Sequence, residues 1–260
     1  MKQLMLTLLL MGWIGWLSGQ PALMPIGKNT RIGAYSRHFQ QIITAWSDPA
    51  ALSCIQRLTA GIYSENRFLV KEASLYAAMI AIPVYAGAFG GSITRLGSTA
   101  YHQQQLSGGY GRRLGRRVGL GLQFNYETTT VQGVGTASQL TVAGGILWHI
   151  SEQWHVGLQV QQLMNGDWLY IGGAGFEASG DFLLSTEVLH AGKDTGMKVA
   201  AYYRIAPALA LEIGFASRPA YHTAACILYL RSLRIDIGAG FHPRLGITPS
   251  TALIWQLSAE

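Results

Sequence analysis

The stretch "LRIDIGAGF", Leu233–Phe241, alternates with a period of two. Leu233, Ile235, Ile237, Ala239 and Phe241 share one face, while Arg234, Asp236, Gly238 and Gly240 share the other. Alternation of this kind is the mark of a β-strand. A strand in water buries its apolar face and wets the other with Lys, Glu or Thr. Here the second face is glycine and one pair of opposite charges, so it is unclear at first which solvent each face meets.

Other segments repeat the pattern. In "VGLGLQFNYE" (Val118–Glu127), Val118, Leu120, Leu122, Phe124 and Tyr126 oppose Gly119, Gly121, Gln123, Asn125 and Glu127. "HVGLQVQQL" (His155–Leu163) and "LALEIGFAS" (Leu209–Ser217) behave alike. A second face that is small or neutral-polar makes a poor soluble surface, but it suits the lumen of a barrel whose large apolar face looks into lipid. The bulk composition agrees. Charged residues are 12% of the chain, about half the usual share of about 25%, and 49% is hydrophobic, with 32 glycines. Beyond the N-terminus no apolar run is long enough for a membrane helix of about 18 residues or more. The sequence therefore predicts an all-β chain, a transmembrane antiparallel β-barrel, closed because lipid cannot satisfy an open sheet edge.

Strands are expected near 57–69, 72–83, 85–97, 100–111, 116–129, 137–150, 153–164, 168–177, 181–190, 196–206, 209–218, 221–231, 233–242 and 249–258. That is about fourteen, an even number that returns both ends to the periplasmic side. Short turns fall near "LGRR", Ser151–Gln153, Ala178–Asp181, Ala206–Ala208 and Arg231–Leu233. The links "TTTVQGVGTAS", "HAGKDTG", "SRPAY" and "PRLGITPS" read as longer and more irregular.

The first residues, "MKQLMLTLLLMGWIGWLSGQ", read as a signal peptide over 1–19, leaving 20–260 as the barrel domain of a cell outer-membrane protein. Cys54 and Cys226 lie far apart and are expected to be unpaired, packed thiols. The net charge of +6 concentrates in Arg112, Arg113, Arg116 and Arg117, which suits anionic headgroups rather than nucleic acid.

Residues 33–56 do not alternate. Phe39, Ile42, Ile43 and Trp46 are spaced like one face of a short helix, which Asp48 and Pro49 then break. Such a segment either plugs the barrel mouth or lies flat against the periplasmic rim. Inward charges are expected at Glu127, Glu187, Lys198, Arg204, Glu212, Arg234, Asp236 and His242. They either pair with one another and hold water or a plug, or select a substrate.

Two stretches carry a resemblance. "WSDPAAL" (Trp46–Leu52) resembles the signature that closes the N-terminal segment of FadL-like barrels, including the PorV/PorQ family. The segment from "LSTEV" to "HPRLGITPS", with Glu187, Tyr203–Arg204 and His242–Pro249, is similar to the last strands of PorV/PorQ-like proteins. The resemblance implies a fourteen-stranded barrel with an N-terminal plug, acting as an accessory or attachment partner in type IX-like protein export. More distant FadL-like relatives imply instead a channel for small hydrophobic molecules. The implied partners are outer-membrane lipids, a secretion-system or secreted protein, or a small hydrophobic ligand. A lateral opening between strands would favour transport, and a sealed barrel with a partner-binding rim would favour export.

No enzyme, cofactor or metal is expected. None of the seven histidines falls in a mechanistic spacing. A Ser–His–acid set of Ser185, His242 and Glu187, as in a lipid-modifying enzyme, is the third reading. His149 and His155 flank a turn, either sharing a metal or sitting at the rim.

Overall fold

The computed structural model describes residues 23–257; the leader expected over 1–19 lies outside them. Residues 59–256 form a closed antiparallel barrel in which each strand pairs with its sequence neighbours and the last returns to the first. The strands are β1 (Thr59–Asn66), β2 (Ser74–Val84), β3 (Gly87–Gly97), β4 (Tyr101–Leu114), β5 (Val118–Val131), β6 (Gly135–His149) and β7 (Trp154–Gln162). They continue with β8 (Trp168–Ser179), β9 (Phe182–Ala191), β10 (Asp194–Ala206), β11 (Leu209–Ser217), β12 (Ala220–Leu230), β13 (Leu233–His242) and β14 (Gly246–Gln256). Ahead of β1 stand a short helix, α1 (Ile42–Ser47), and a 3-10 turn, Pro49–Cys54.

The barrel is inside out. In β13, Arg234, Asp236 and Gly240 are buried while Ile237 and Phe241 are exposed. In β5, Asn125 and Glu127 are buried, and Leu122, Phe124 and Tyr126 stand about half exposed on the outside. A row of outward aromatics marks each end. Phe89, Trp148, Trp154, Tyr203 and Trp255 lie toward the end that holds the start of β1 and the end of β14. Tyr101, Tyr126, Trp168, Tyr170, Phe215 and Phe241 lie toward the other. Aliphatic side chains such as Leu106, Leu158, Ile213 and Leu253 fill the band between. Two aromatic girdles around an apolar belt are what a bilayer's two interfaces select.

At the terminal end the connections are 85–86, 115–117, 150–153, 180–181, 207–208 and 231–232. At the opposite end they are 67–73, 98–100, 132–134, 163–167, 192–193, 218–219 and 243–245. The four links read as long and irregular are therefore mostly strand. "TTTVQGVGTAS" is β5 to Val131 and β6 from Gly135. Both faces of this hairpin are wet and polar, with Thr130 Oγ1 3.1 Å from Thr136 Oγ1, so alternation fades although the ladder continues. Cys54 and Cys226 are both free thiols: one lies in the 3-10 turn inside and the other on β12.

Outward and inward substitutions should separate cleanly. Leu122→Arg places a charge in the lipid belt at a cost of roughly 2–4 kcal/mol and should reduce heat-modifiable barrel in outer-membrane fractions. Gln123→Arg, one residue on and facing inward, should assemble normally. Equal yields of the two variants would mean the faces are reversed.

Candidate functional site

The interior belongs to the N-terminal segment. It starts near the end of the barrel opposite the termini. There Arg67 Nη2 donates to the Met24 carbonyl at 2.8 Å, and Glu65 accepts from the amides of Ile26 and Gly27 at 3.0 and 2.8 Å. The chain then descends. Lys28 pairs with Asp236 of β13 and with Glu212 of β11, the latter at 3.4 Å. Near the terminal end the Arg37 amide and His38 Nδ1 both reach Glu177 of β8, His38 at 2.6 Å. From there the chain climbs through α1 to Trp46, whose ring lies 5.6 Å from that of Tyr63 on β1, and the 3-10 turn leads back down to β1.

Arg31 joins these passes. Its Nε donates to Glu187 of β9 at 2.7 Å, and Nη1 donates to the Ser47 carbonyl at the end of α1 and to Gln159 of β7. Nη2 lies 3.3 Å from the Tyr35 hydroxyl and 3.6 Å from Asp48. Burial alone would lower the Arg31 pKa, but Glu187, Tyr35 and Asp48 outweigh it and hold the guanidinium charged well above its ordinary value. Burial pushes the Asp48 carboxyl up, and Arg31 with the Ala50 amide only partly offsets that. Asp48 caps the 3-10 turn by accepting from Ala50 at 2.9 Å, and Pro49 occupies the first turn position, where its missing N–H costs nothing. The local rule and the long-range ion pair act on one side chain.

Inward glycines make the sockets. A Cβ on Gly111 would run into Leu52 and Ser53, one on Gly121 into Pro49, and one on Gly145 into Asp48. Across the barrel, Gly157, Gly173 and Gly175 make room for Tyr35. This is why the second face of β5 reads as glycine where it meets the plug and as Gln, Asn and Glu beyond it.

The sequence-derived candidates divide between several places. Ile42 and Ile43 pack with Leu75, Met79 and Ile254 against the β1–β2–β14 wall, while Phe39 packs on the far side, 5.0 Å from the Tyr202 ring. They are thus not one helical face: α1 begins only at Ile42, and the bend before it sends Phe39 to another wall. Trp46 is part-buried. The interior segment also begins earlier than 33, since Lys28 and Arg31 are as buried as anything in the core. Glu212 and Asp236 hold Lys28, and Arg234 forks onto Asp236. Arg204 stays near the terminal rim, 3.8 Å from Asp181 and stacked on Tyr229. His242 is a turn residue, accepting from the amides of Arg244 and Leu245 at 3.2 and 3.1 Å, because a short β13–β14 link must satisfy its amides locally. His242 and Glu187 therefore serve separate structures and form no Ser–His–acid set. His149 and His155 face each other across the β6–β7 hairpin at 2.9 Å, and His155 also meets Glu177. Sequence reasoning missed Lys28, Arg31, Tyr35, Glu65 and Glu177. The available signal was the excess of inward glycine, which means that something else fills the space.

Apart from residues 23–27, which run along the wall toward the opposite end, the plug fills the half nearest the termini. Above it lies a cavity of about 610 Å³, reaching the connections 163–167, 192–193 and 218–219 at the opposite end. Its floor is Trp46, Ser47 and Pro49. One side is apolar, with Leu23, Met24, Leu163, Met164, Leu169 and Leu189. The other is amide, with Gln103, Gln105, Gln123, Gln159, Gln161 and Asn165, and Glu127 is set among them. The ladders around the wall are continuous, so no seam stands open. Gly90 and Gly91 of β3 face Gly109 and Gly108 of β4, and Trp46 and Leu52 lie just inside that patch.

No protein-family model matches the chain, and no curated protein matches it in sequence. Solved structures do resemble it. A FadL homologue of Pseudomonas aeruginosa superposes with a TM-score of 0.64 at 10% identity, over 91% of this chain and 98% of that one. A deltaS2 mutant of the TodX monoaromatic hydrocarbon channel gives 0.64 at 8% identity, over 91% and 100%. The toluene transporter TbuX of Ralstonia pickettii gives 0.63 at 9% identity, over 90% and 99%. At these identities the likeness is one of fold: a FadL-like outer-membrane barrel. The neighbours are channels and a transporter, not enzymes.

The plug makes a direct prediction. Arg31→Met strands Glu187 and Asp48 as buried charges, a loss of about 3–5 kcal/mol, and deletion of 34–48 removes the obstruction itself. In planar bilayers the intact protein should be nearly silent, the deletion should conduct steadily, and Arg31→Met should open intermittently. A large steady conductance from the intact protein would refute the plug.

Proposed function

We propose that this chain is a FadL-like outer-membrane channel that admits small hydrophobic molecules, and that it has no enzymatic activity. The carrying observation is the cavity of about 610 Å³ held inside the barrel above a fixed floor. Its size lies within the range of small-molecule pockets, about 300–1,000 Å³. With short turns and both chain ends on the periplasmic side, the cavity faces the outside, where such molecules arrive. In this reading residues 1–19 are a cleaved leader, 20–260 the mature barrel in the outer membrane, and the segment around 33–56 its plug. The lipid-facing belt makes outer-membrane lipids its surroundings. Trp46 borders both the cavity floor and the glycine patch of β3 inside a closed wall, so entry and exit run along the lumen.

The attachment role in type IX-like export is the less supported reading. Gripping a secreted protein needs a protruding rim, and the connections at the cavity end run from the two residues 192–193 to the stretch 67–73. The neighbours' own names, a hydrocarbon channel and a toluene transporter, lend weight to the channel.

Toluene binding to the purified full-length barrel in detergent tests this reading. Binding should saturate, and Ala143→Trp should weaken it at least about tenfold while heat-modifiable mobility is kept. Ala143 lies in the cavity wall between Gln123 and Gln161, so a large side chain there fills the space. A mild-detergent pull-down that recovers a stoichiometric protein partner, with no saturable toluene binding, would transfer the assignment to export.

A further inference from the structure

We propose that the cavity selects small amphipathic molecules whose polar end donates hydrogen bonds, above all protonated amines on an aromatic or short aliphatic body, and that it disfavours the matching carboxylates. The inference rests on the channel reading and adds the chemistry of the ligand.

The wall offers acceptors. Gln105 spends its Nε2 on Glu127 Oε1 at 3.1 Å, and Gln123 spends its own on Asn125 Oδ1 at 2.6 Å. Both side chains line the cavity, and each amide still has its carbonyl oxygen as an acceptor and a second N–H as a donor. Glu127 receives Gln105 and the Thr141 hydroxyl, at 2.9 Å, both on Oε1. Glu127 lines the cavity although it is only 7% exposed, and both of these bonds leave its second oxygen free to accept. A carboxylate so placed, with its hydroxyl and amide donors already on one oxygen, is built to receive a donor on the other. Gln159 is the counter-case, for its oxygen is taken by Arg31 and its amide nitrogen is left over.

Charge points the same way. Glu127, Asp167 and Asp194 line the cavity against a single guanidinium, Arg218, in a chain whose net charge is +6. The cations nearest in sequence to the plug are committed elsewhere, Lys28 to Asp236 and Arg31 to Glu187. Lys198 is buried against Met24 Sδ at 3.9 Å and the Tyr221 ring at 5.7 Å, and it does not line the cavity. The charged side chains of the lining therefore favour a cation over an anion. Trp46 gives an aromatic face at the floor and Met164 a polarisable sulfur at the opposite end, both suited to an apolar body carrying a positive end.

Calorimetric titration of the full-length protein in detergent near pH 7, with protein-free micelles as the blank, tests this with three probes of similar body: toluene, phenethylamine and phenylacetate. Phenethylamine should bind about tenfold tighter than toluene, and phenylacetate weakest of the three. Glu127→Gln should shrink the ratio of amine to toluene affinity by about tenfold. If that variant fails to assemble, the ranking on the unmodified protein decides. Toluene binding as well as or better than phenethylamine, and lost in Ala143→Trp, would overturn the head-group selection and leave the channel standing. Saturable binding of none of the three would overturn both.

Discussion

A buried guanidinium has to be answered on every nitrogen, and Arg31 is where this barrel does so. Its partners come from β7, β9, the end of α1 and the turn at Asp48, four places that approach one another only if the N-terminal segment doubles back inside the lumen. Removing any one partner leaves a charge in a dry interior, so the descending pass, the helix and the wall stand or fall together. Lys28 with Glu212 and Asp236, and His38 with Glu177, extend the same logic toward either side. The wall carries few acids, and most of the buried ones face plug cations or plug amides.

Space is the complementary constraint. A barrel of this size is too wide for its own side chains to fill and must hold a channel, a ligand or a plug. Here glycine at inward positions of β4 to β8 cedes volume to Pro49, Ser53 and Tyr35, and the terminal half of the lumen is closed. Toward the other end the inward positions become Gln, Thr and Glu, and the volume is left to solvent and to whatever enters. The change from glycine to amide along a single strand such as β5 is the boundary between structure and site.

That boundary explains why the molecule reads as a vessel rather than as a platform. Its strands end in tight connections, so little of the chain projects beyond the barrel, and its chemically varied surface is concave and internal. The cavity lining divides into apolar and amide stretches above a floor set by Trp46, Ser47 and Pro49. The floor is not part of the wall, and it is held by ion pairs rather than by the strand ladder.

Much of this was already written in the chain. Period-two alternation with the large residues on one face and glycine or amides on the other determined strand positions, strand number and the inside-out sense, because lipid outside and a wet or filled lumen inside leave no other assignment. In β13 the expected and observed limits coincide at 233–242. The non-alternating stretch before β1 marked a segment apart from the wall, but it left open whether that segment enters the lumen or lies on the rim. Alternation says which face a residue takes but nothing of what it meets across a closed lumen. The pairing of Lys28 with Asp236, 208 residues away, and of Arg31 with Glu187, the separation of Phe39 from Ile42 and Ile43, and the turn role of His242 were decided only when the barrel closed. Closure brings residues from opposite walls within reach of one interior segment, and no local period encodes that distance.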